Sequence, residues 1–93
     1  MLKIKRVGKF DRMLEDLVIQ NFEASKIVNR KINIFQNNSN DTRLGSHVLK
    51  KKMKGKFAFS IDNDVRIVYE WIGKNSVRFL AIGGHKKVYG RTS

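Results

Sequence analysis

Residues 57–82 read Phe-Ala-Phe-Ser-Ile-Asp-Asn-Asp-Val-Arg-Ile-Val-Tyr-Glu-Trp-Ile-Gly-Lys-Asn-Ser-Val-Arg-Phe-Leu-Ala-Ile. Phe57, Phe59 and Ile61 alternate with Ala58 and Ser60, and Asp62-Asn63-Asp64 follows. Such short polar side chains bond to their own backbone and favour a tight turn. Val65, Ile67, Tyr69 and Trp71 then alternate with Arg66, Val68 and Glu70. After a second turn at Gly73-Lys74-Asn75, Val77, Phe79 and Ala81 alternate with Arg78, Leu80 and Ile82. Successive side chains of a strand point to opposite faces, so three alternating runs joined by two turns predict a three-stranded antiparallel meander. The phenylalanines and Trp71 would face a covering layer, with Ser60 and Arg66 on the other side.

That layer is legible upstream. Phe10, Met13, Leu14, Leu17 and Val18 form an i, i+3, i+4, i+7, i+8 series, the apolar stripe of an amphipathic helix ending near Asn21. Ala24, Ile27, Val28, Ile32 and Phe35 give a second stripe, with Lys26, Arg30 and Lys31 on its outer side. The short link between them predicts an antiparallel helical hairpin. Asn-Asn-Ser-Asn-Asp at 37–41 stops the second helix. Met1 to Val7 alternates Leu2, Ile4 and Val7 with Lys3, Lys5 and Arg6, a short strand closed by Gly8. The expected architecture is α+β, β-α-α-β-β-β, one small domain over residues 1–93, with residues 42–55 irregular.

Twenty Lys and Arg against eight Asp and Glu give a formal net charge of +12 over 93 residues. Self-repulsion at that density disfavours a compact state unless a polyanion or acidic protein offsets it. A chain that is 41% hydrophobic, with six Phe, one Trp and two Tyr, still builds a core, which separates it from disordered polycations. No apolar run approaches the roughly 20 residues needed to span a bilayer, and no signal-peptide pattern follows Met1. The charge therefore points to nucleic acid rather than membrane. Cysteine is absent, which excludes thiol catalysis and thiolate metal sites and fits a reducing cytoplasm. His47 and His85 are the only histidines, and no HxxxH or HxH spacing supports a metal site. Neither metal nor cofactor is expected.

Three constellations carry candidate chemistry. The loop from His47 to Gly55 holds Lys50, Lys51, Lys52 and Lys54, cations that would hold several phosphates or, taken alone, form a solvated face. Arg66 lies among apolar strand residues and must snorkel, pair with Glu70 or Asp64, or point into a functional cleft. Gly83-Gly84-His85-Lys86-Lys87-Val88-Tyr89 lets the backbone bend and presents His85 at a loop edge. His85 is suited to proton transfer near neutral pH, or is an ordinary surface residue. Tyr89 would stack on a base or cap the core. Together these groups supply what metal-free RNA cleavage needs: a base for the 2′-hydroxyl, an acid for the 5′-oxygen and positive charge for the phosphorane.

The order "helical hairpin, His-x-Leu-Lys loop, Lys-Gly, strand, Asp-x-Arg-Ile-Val-Tyr, hairpin, Gly-x-His-x-x-Val-Tyr" resembles the RelE/ParE toxin superfamily, closest to its YafQ-like branch. The resemblance spans nearly the whole chain and is strongest from Leu44 to Tyr89. It implies a toxin of a type II toxin–antitoxin module, a ribosome-associated endoribonuclease that cleaves mRNA. By similarity to that branch, His47, Asp64 and His85 fall at catalytic positions. By similarity to RelE, Arg66 falls where an arginine stabilises the scissile phosphate, Lys54 near a catalytic lysine and Tyr89 near a C-terminal aromatic. Lys50, Lys51, Lys52 and Lys86 complete the expected substrate-binding set. Ser60 stands where the branch has a further histidine, and Val65 where it has a tryptophan.

The implied partners are an acidic or DNA-binding antitoxin, mRNA on the ribosome, and operator DNA reached only through the antitoxin complex. Two other readings share these features: a ParE-type poison of DNA gyrase, and a basic RNA- or DNA-binding module without chemistry. Retention of His47, Asp64, Arg66 and His85 counts against the gyrase poison, and cleavage of RNA by programmed ribosomes separates the nuclease from both.

Overall fold

A computed structural model describes residues 1–49, 55–84 and 88. Strand β1 (Lys3–Arg6) leads into helices α1 (Gly8–Gln20) and α2 (Ala24–Asn37). A 3-10 turn (Thr42–Leu44) precedes the two-residue strand β2 (His47–Val48), and the chain closes with β3 (Phe57–Ser60), β4 (Arg66–Gly73) and β5 (Ser76–Gly83). The sheet order is β1-β5-β4-β3-β2. The meander forms as the alternation predicts, with β3, β4 and β5 antiparallel. Asp62 Oδ1 accepts from the backbone N–H groups of Asp64 (2.8 Å) and Val65 (2.7 Å), which fixes the first turn.

Two features go beyond the sequence reading. β1 lies parallel to β5, Ile4 opposite Val77, so the sheet is mixed. The stretch expected to be irregular holds the 3-10 turn and β2. Leu44 accounts for the turn: it is fully buried in the core, and Asp41 caps the turn by accepting from the Arg43 N–H at 2.9 Å. The helix ends agree with the polar signals, since Asn21 and Asn38 are the C-caps.

The core sits between the helices and one sheet face. Phe35 of α2 stacks on Phe59 at 4.6 Å between ring centroids and meets Tyr69 edge-on at 4.8 Å. Phe10 of α1 tilts against Phe79 at 5.3 Å. The expectation that Trp71 lies under the helices is corrected: Trp71 is 39% exposed and meets the Phe35 cluster through Tyr69, edge-on at 6.4 Å. The alternation along β5 is also corrected. A register shift after Val68 sets Tyr69 against Phe79 but Ile67 against Ile82 and Val68 against Ala81. This irregularity moves Ile82 onto the face of Phe79, and both sides of the sheet centre are buried there. Among the described residues no helix is long and apolar enough to cross a membrane.

Candidate functional site

The pairing of β3 with β4 puts Ser60 directly opposite Arg66, and β5 sets Gly83 on the other side of Arg66. Neighbouring side chains on one sheet face are within contact distance, and the Arg66 Nη1 donates to Ser60 Oγ at 2.6 Å. Glu70, considered as a partner for Arg66, is instead held by Arg78 at 2.9 Å. Ser60 therefore orients one edge of the guanidinium. An always-charged planar fork held this way suits an oxyanion.

Asp64 lies in the turn between β3 and β4, two residues before Arg66. A methyl group added to Gly84 would lie 2.7 Å from Asp64 Oδ2. The carboxylate thus occupies the space that a side chain at 84 would fill. Gly84 immediately precedes His85 in the chain. The Val88 N–H donates to the Gly84 carbonyl at 3.1 Å, and Val88 is buried in the core.

His47 opens β2 opposite Ala58, one alternation along β3 from Ser60 and on the same face. Its Nδ1 lies 3.2 Å from the Gly45 carbonyl. That acceptor favours a proton on Nδ1, which leaves Nε2 as the proton acceptor of the neutral ring. Gly45 is left-handed (φ 57°), and a methyl on it would lie 3.7 Å from Ser60 Oγ. The loop before β2 therefore lies over the Ser60–Arg66 pair.

Lys31, Arg43, Ser60, Asp62, Asn63 and Arg66 line a cleft of about 350 Å³. Lys31, expected on the outer side of α2, donates instead to the Arg43 carbonyl at 3.2 Å. Asp41 grips Arg43 in a fork, Oδ1 to Nε at 3.0 Å and Oδ2 to Nη2 at 2.8 Å. Those bonds hold the Asp41 carboxyl down at about 2 and push the Arg43 guanidinium up. Lys31 and Arg43 are the cations that sequence reasoning missed. The Asp-x-Arg spacing at 41–43 could have located Arg43, whereas only the tertiary fold brings in Lys31.

A second cleft of about 230 Å³ lies at the sheet edge, lined by Ser39, Asn40, Ser46, His47, Val48, Phe57, Tyr69 and Trp71. Burial pushes the Tyr69 phenol up, and its hydrogen bond with Ser46 opposes this in part. The structure thus brings Asp64 and Arg66 to one end of the sheet, with His47 on the same face. Lys50, Lys51, Lys52, Lys54, His85, Lys86 and Tyr89 lie outside the described residues. Beyond β2, the Leu49 N–H donates to the Lys56 carbonyl at 2.8 Å.

No protein-family model matches the sequence, and no curated protein matches it. Solved structures do. A copper-bound mutant toxin from Helicobacter pylori is 26% identical, covering 96% of this chain and 100% of its own, with a TM-score of 0.78. YafQ from E. coli is 17% identical over 97% of this chain and 100% of its own, with a TM-score of 0.80. YafQ in the E. coli DinJ–YafQ complex is 18% identical with the same coverage and a TM-score of 0.78.

Proposed function

We propose that this chain, which has the fold of the YafQ-like toxins, is the toxin of a type II toxin–antitoxin module and cleaves mRNA on the ribosome. The observation that supports this most is the Arg66 guanidinium, held by Ser60 Oγ, on a sheet whose neighbouring turn sets the Asp64 carboxylate against Gly84. The 2′-hydroxyl attacks the adjacent phosphorus and gives its proton to a base. The P–O5′ bond breaks as an acid protonates the leaving oxygen, and a 2′,3′-cyclic phosphate remains. Arg66 stabilises the phosphorane charge. His47, Asp64 and His85 are the groups that accept and return protons, steps worth about 10²–10⁴-fold each. Lys50, Lys51, Lys52, Lys54 and Lys86 hold flanking phosphates, and Tyr89 stacks on a base.

No step needs a metal ion, although one structural neighbour is copper-bound. The partner is an antitoxin whose acidic or DNA-binding chain covers the basic surface, as DinJ accompanies YafQ. Operator DNA is reached through that complex, and the setting is the cytoplasm. A charge of +12 would speed capture of either RNA or an acidic partner.

The test is incubation of purified chain with ribosomes programmed with message. Cleavage that persists in chelator supports the reading. Cleavage lost in chelator and regained with added metal would overturn its metal-free part. Intact message in cells whose growth is nevertheless arrested would favour a gyrase poison.

A further inference from the structure

We propose that the cleft between Asn40 and Trp71 binds a single nucleobase of the RNA substrate, a proposal that rests on the reading of the chain as an RNA-cleaving toxin. Its floor is apolar and largely aromatic. Val48 pairs with Phe57, Phe57 pairs with Tyr69, and Trp71 follows two residues along β4 on the same face. Trp71 is 39% exposed and Val48 52% exposed, so these two present apolar surface to solvent above the buried Tyr69. Its rim is polar, formed by Ser39, Asn40, Ser46 and His47. An aromatic platform edged by an amide and hydroxyls is the arrangement that takes an unstacked base, with the ring on the aromatic and the base edge on the polar groups.

Size and charge choose among occupants. Drug-sized ligands fill roughly 300–1,000 Å³. A cleft of about 230 Å³ suits one heterocycle. Val48 and Phe57, which flank the lysine-rich stretch 50–54 in the sequence, both line the cleft. A base seated on Trp71 has His47 on the rim beside it, and a chain of net charge +12 favours an occupant that carries phosphates. Asn40 supplies selectivity. Its backbone N–H is taken by Asn38 Oδ1 at 3.1 Å, and its side-chain amide offers a donor and an acceptor to a base edge.

Trp71 is the only tryptophan, so its fluorescence reports occupancy without turnover. The probes are uncleavable 2′-O-methyl RNA hexamers of each base, and an abasic hexamer with the same phosphates. Base-bearing hexamers should quench Trp71 saturably, and the abasic one should bind without quenching. With anisotropy of labelled hexamers, Trp71→Ala should weaken binding about 5- to 150-fold, as expected for loss of one base–aromatic stack. Trp71→Phe should retain most of the affinity, and Asn40→Ala should change the order of preference among bases while the melting temperature holds. Equal quenching by the abasic hexamer, or a folded Trp71→Ala chain with unchanged affinity, would overturn the base site. So would quenching produced only by an acidic antitoxin, which would mark the cleft as a protein-docking groove. Failure of the wild-type chain to cleave message refutes the nuclease reading separately, because the titration needs no cleavage.

Discussion

Replacing Gly84 with alanine should injure catalysis while sparing the fold. The added methyl would lie 2.7 Å from Asp64 Oδ2, 3.3 Å from its Cγ and 3.4 Å from its Oδ1. Ordinary contact begins near 3.4 Å, so the closest oxygen must retreat by about 0.7 Å. The group that yields is the end of a side chain, and the stability cost should stay within about 1 kcal/mol. Displacement of about 1 Å at a reacting group can cost about 10²-fold in rate. Gly84→Ala should therefore slow single-turnover cleavage on programmed ribosomes by about 10- to 100-fold with little change in melting temperature. Since the damage runs through Asp64, it should largely vanish in an Asp64→Ala background, a coupling that a double-mutant cycle measures. Full activity in Gly84→Ala, or an undiminished further loss in the Asp64→Ala background, would refute the placement of Asp64 in the chemistry.

Phe35→Ala should cost about 3–5 kcal/mol in chemical denaturation. Phe35 is fully buried and touches the rings of Phe59, Tyr69 and Phe79, and a loss of that size would leave little of a typical domain's stability of about 5–15 kcal/mol. A milder effect would mean that the aromatic cluster is not the centre of the core. Arg66→Lys should reduce the cleavage rate more than substrate affinity, because a lysine keeps the charge but not the fork that Ser60 orients. An equal effect on both would reassign Arg66 to plain phosphate binding. Asp41, with its carboxyl held at about 2 by Arg43, should titrate near pH 2 by carboxyl NMR. A lowered folded value means stabilisation is present above the unfolded value of about 3.9 and lost as pH falls through about 2. A midpoint near 4, or the same midpoint in Arg43→Ala, would remove the fork as the cause.

Local patterns foretold most of the sheet and both helices, because alternation and helical spacing record which side chains meet a core within one element. What they could not record was non-local. The choice of β5 as a parallel neighbour for β1 depends on where the hairpin of helices returns the chain. The irregularity after Val68 depends on fitting Ile82 opposite Ile67, and a strict alternation along β5 assigned Ala81 to the inner face instead. Trp71 continued a perfect alternation yet is 39% exposed, meeting the cluster through Tyr69. At the site, Arg66 and Ser60 were legible as one face, since strand register carries that information. Gly84 was legible only as a flexible residue, and its closeness to Asp64 is a tertiary fact. Lys31 was misassigned to solvent because a helix pattern shows an outer side without showing that a 3-10 turn folds against it.

Attack by the substrate's own 2′-hydroxyl at a metal-free Arg/Asp/His site can be tested with one substituted message. A message carrying a single 2′-deoxy nucleotide 5′ to the preferred cleavage point, threaded on the ribosome, removes the nucleophile and nothing else. The account predicts that the unmodified message yields a 2′,3′-cyclic phosphate and a 5′-hydroxyl, and that the deoxy message survives intact at that position. Cleavage of the deoxy message at an undiminished rate would contradict it, because the attacking oxygen would then have to come from water.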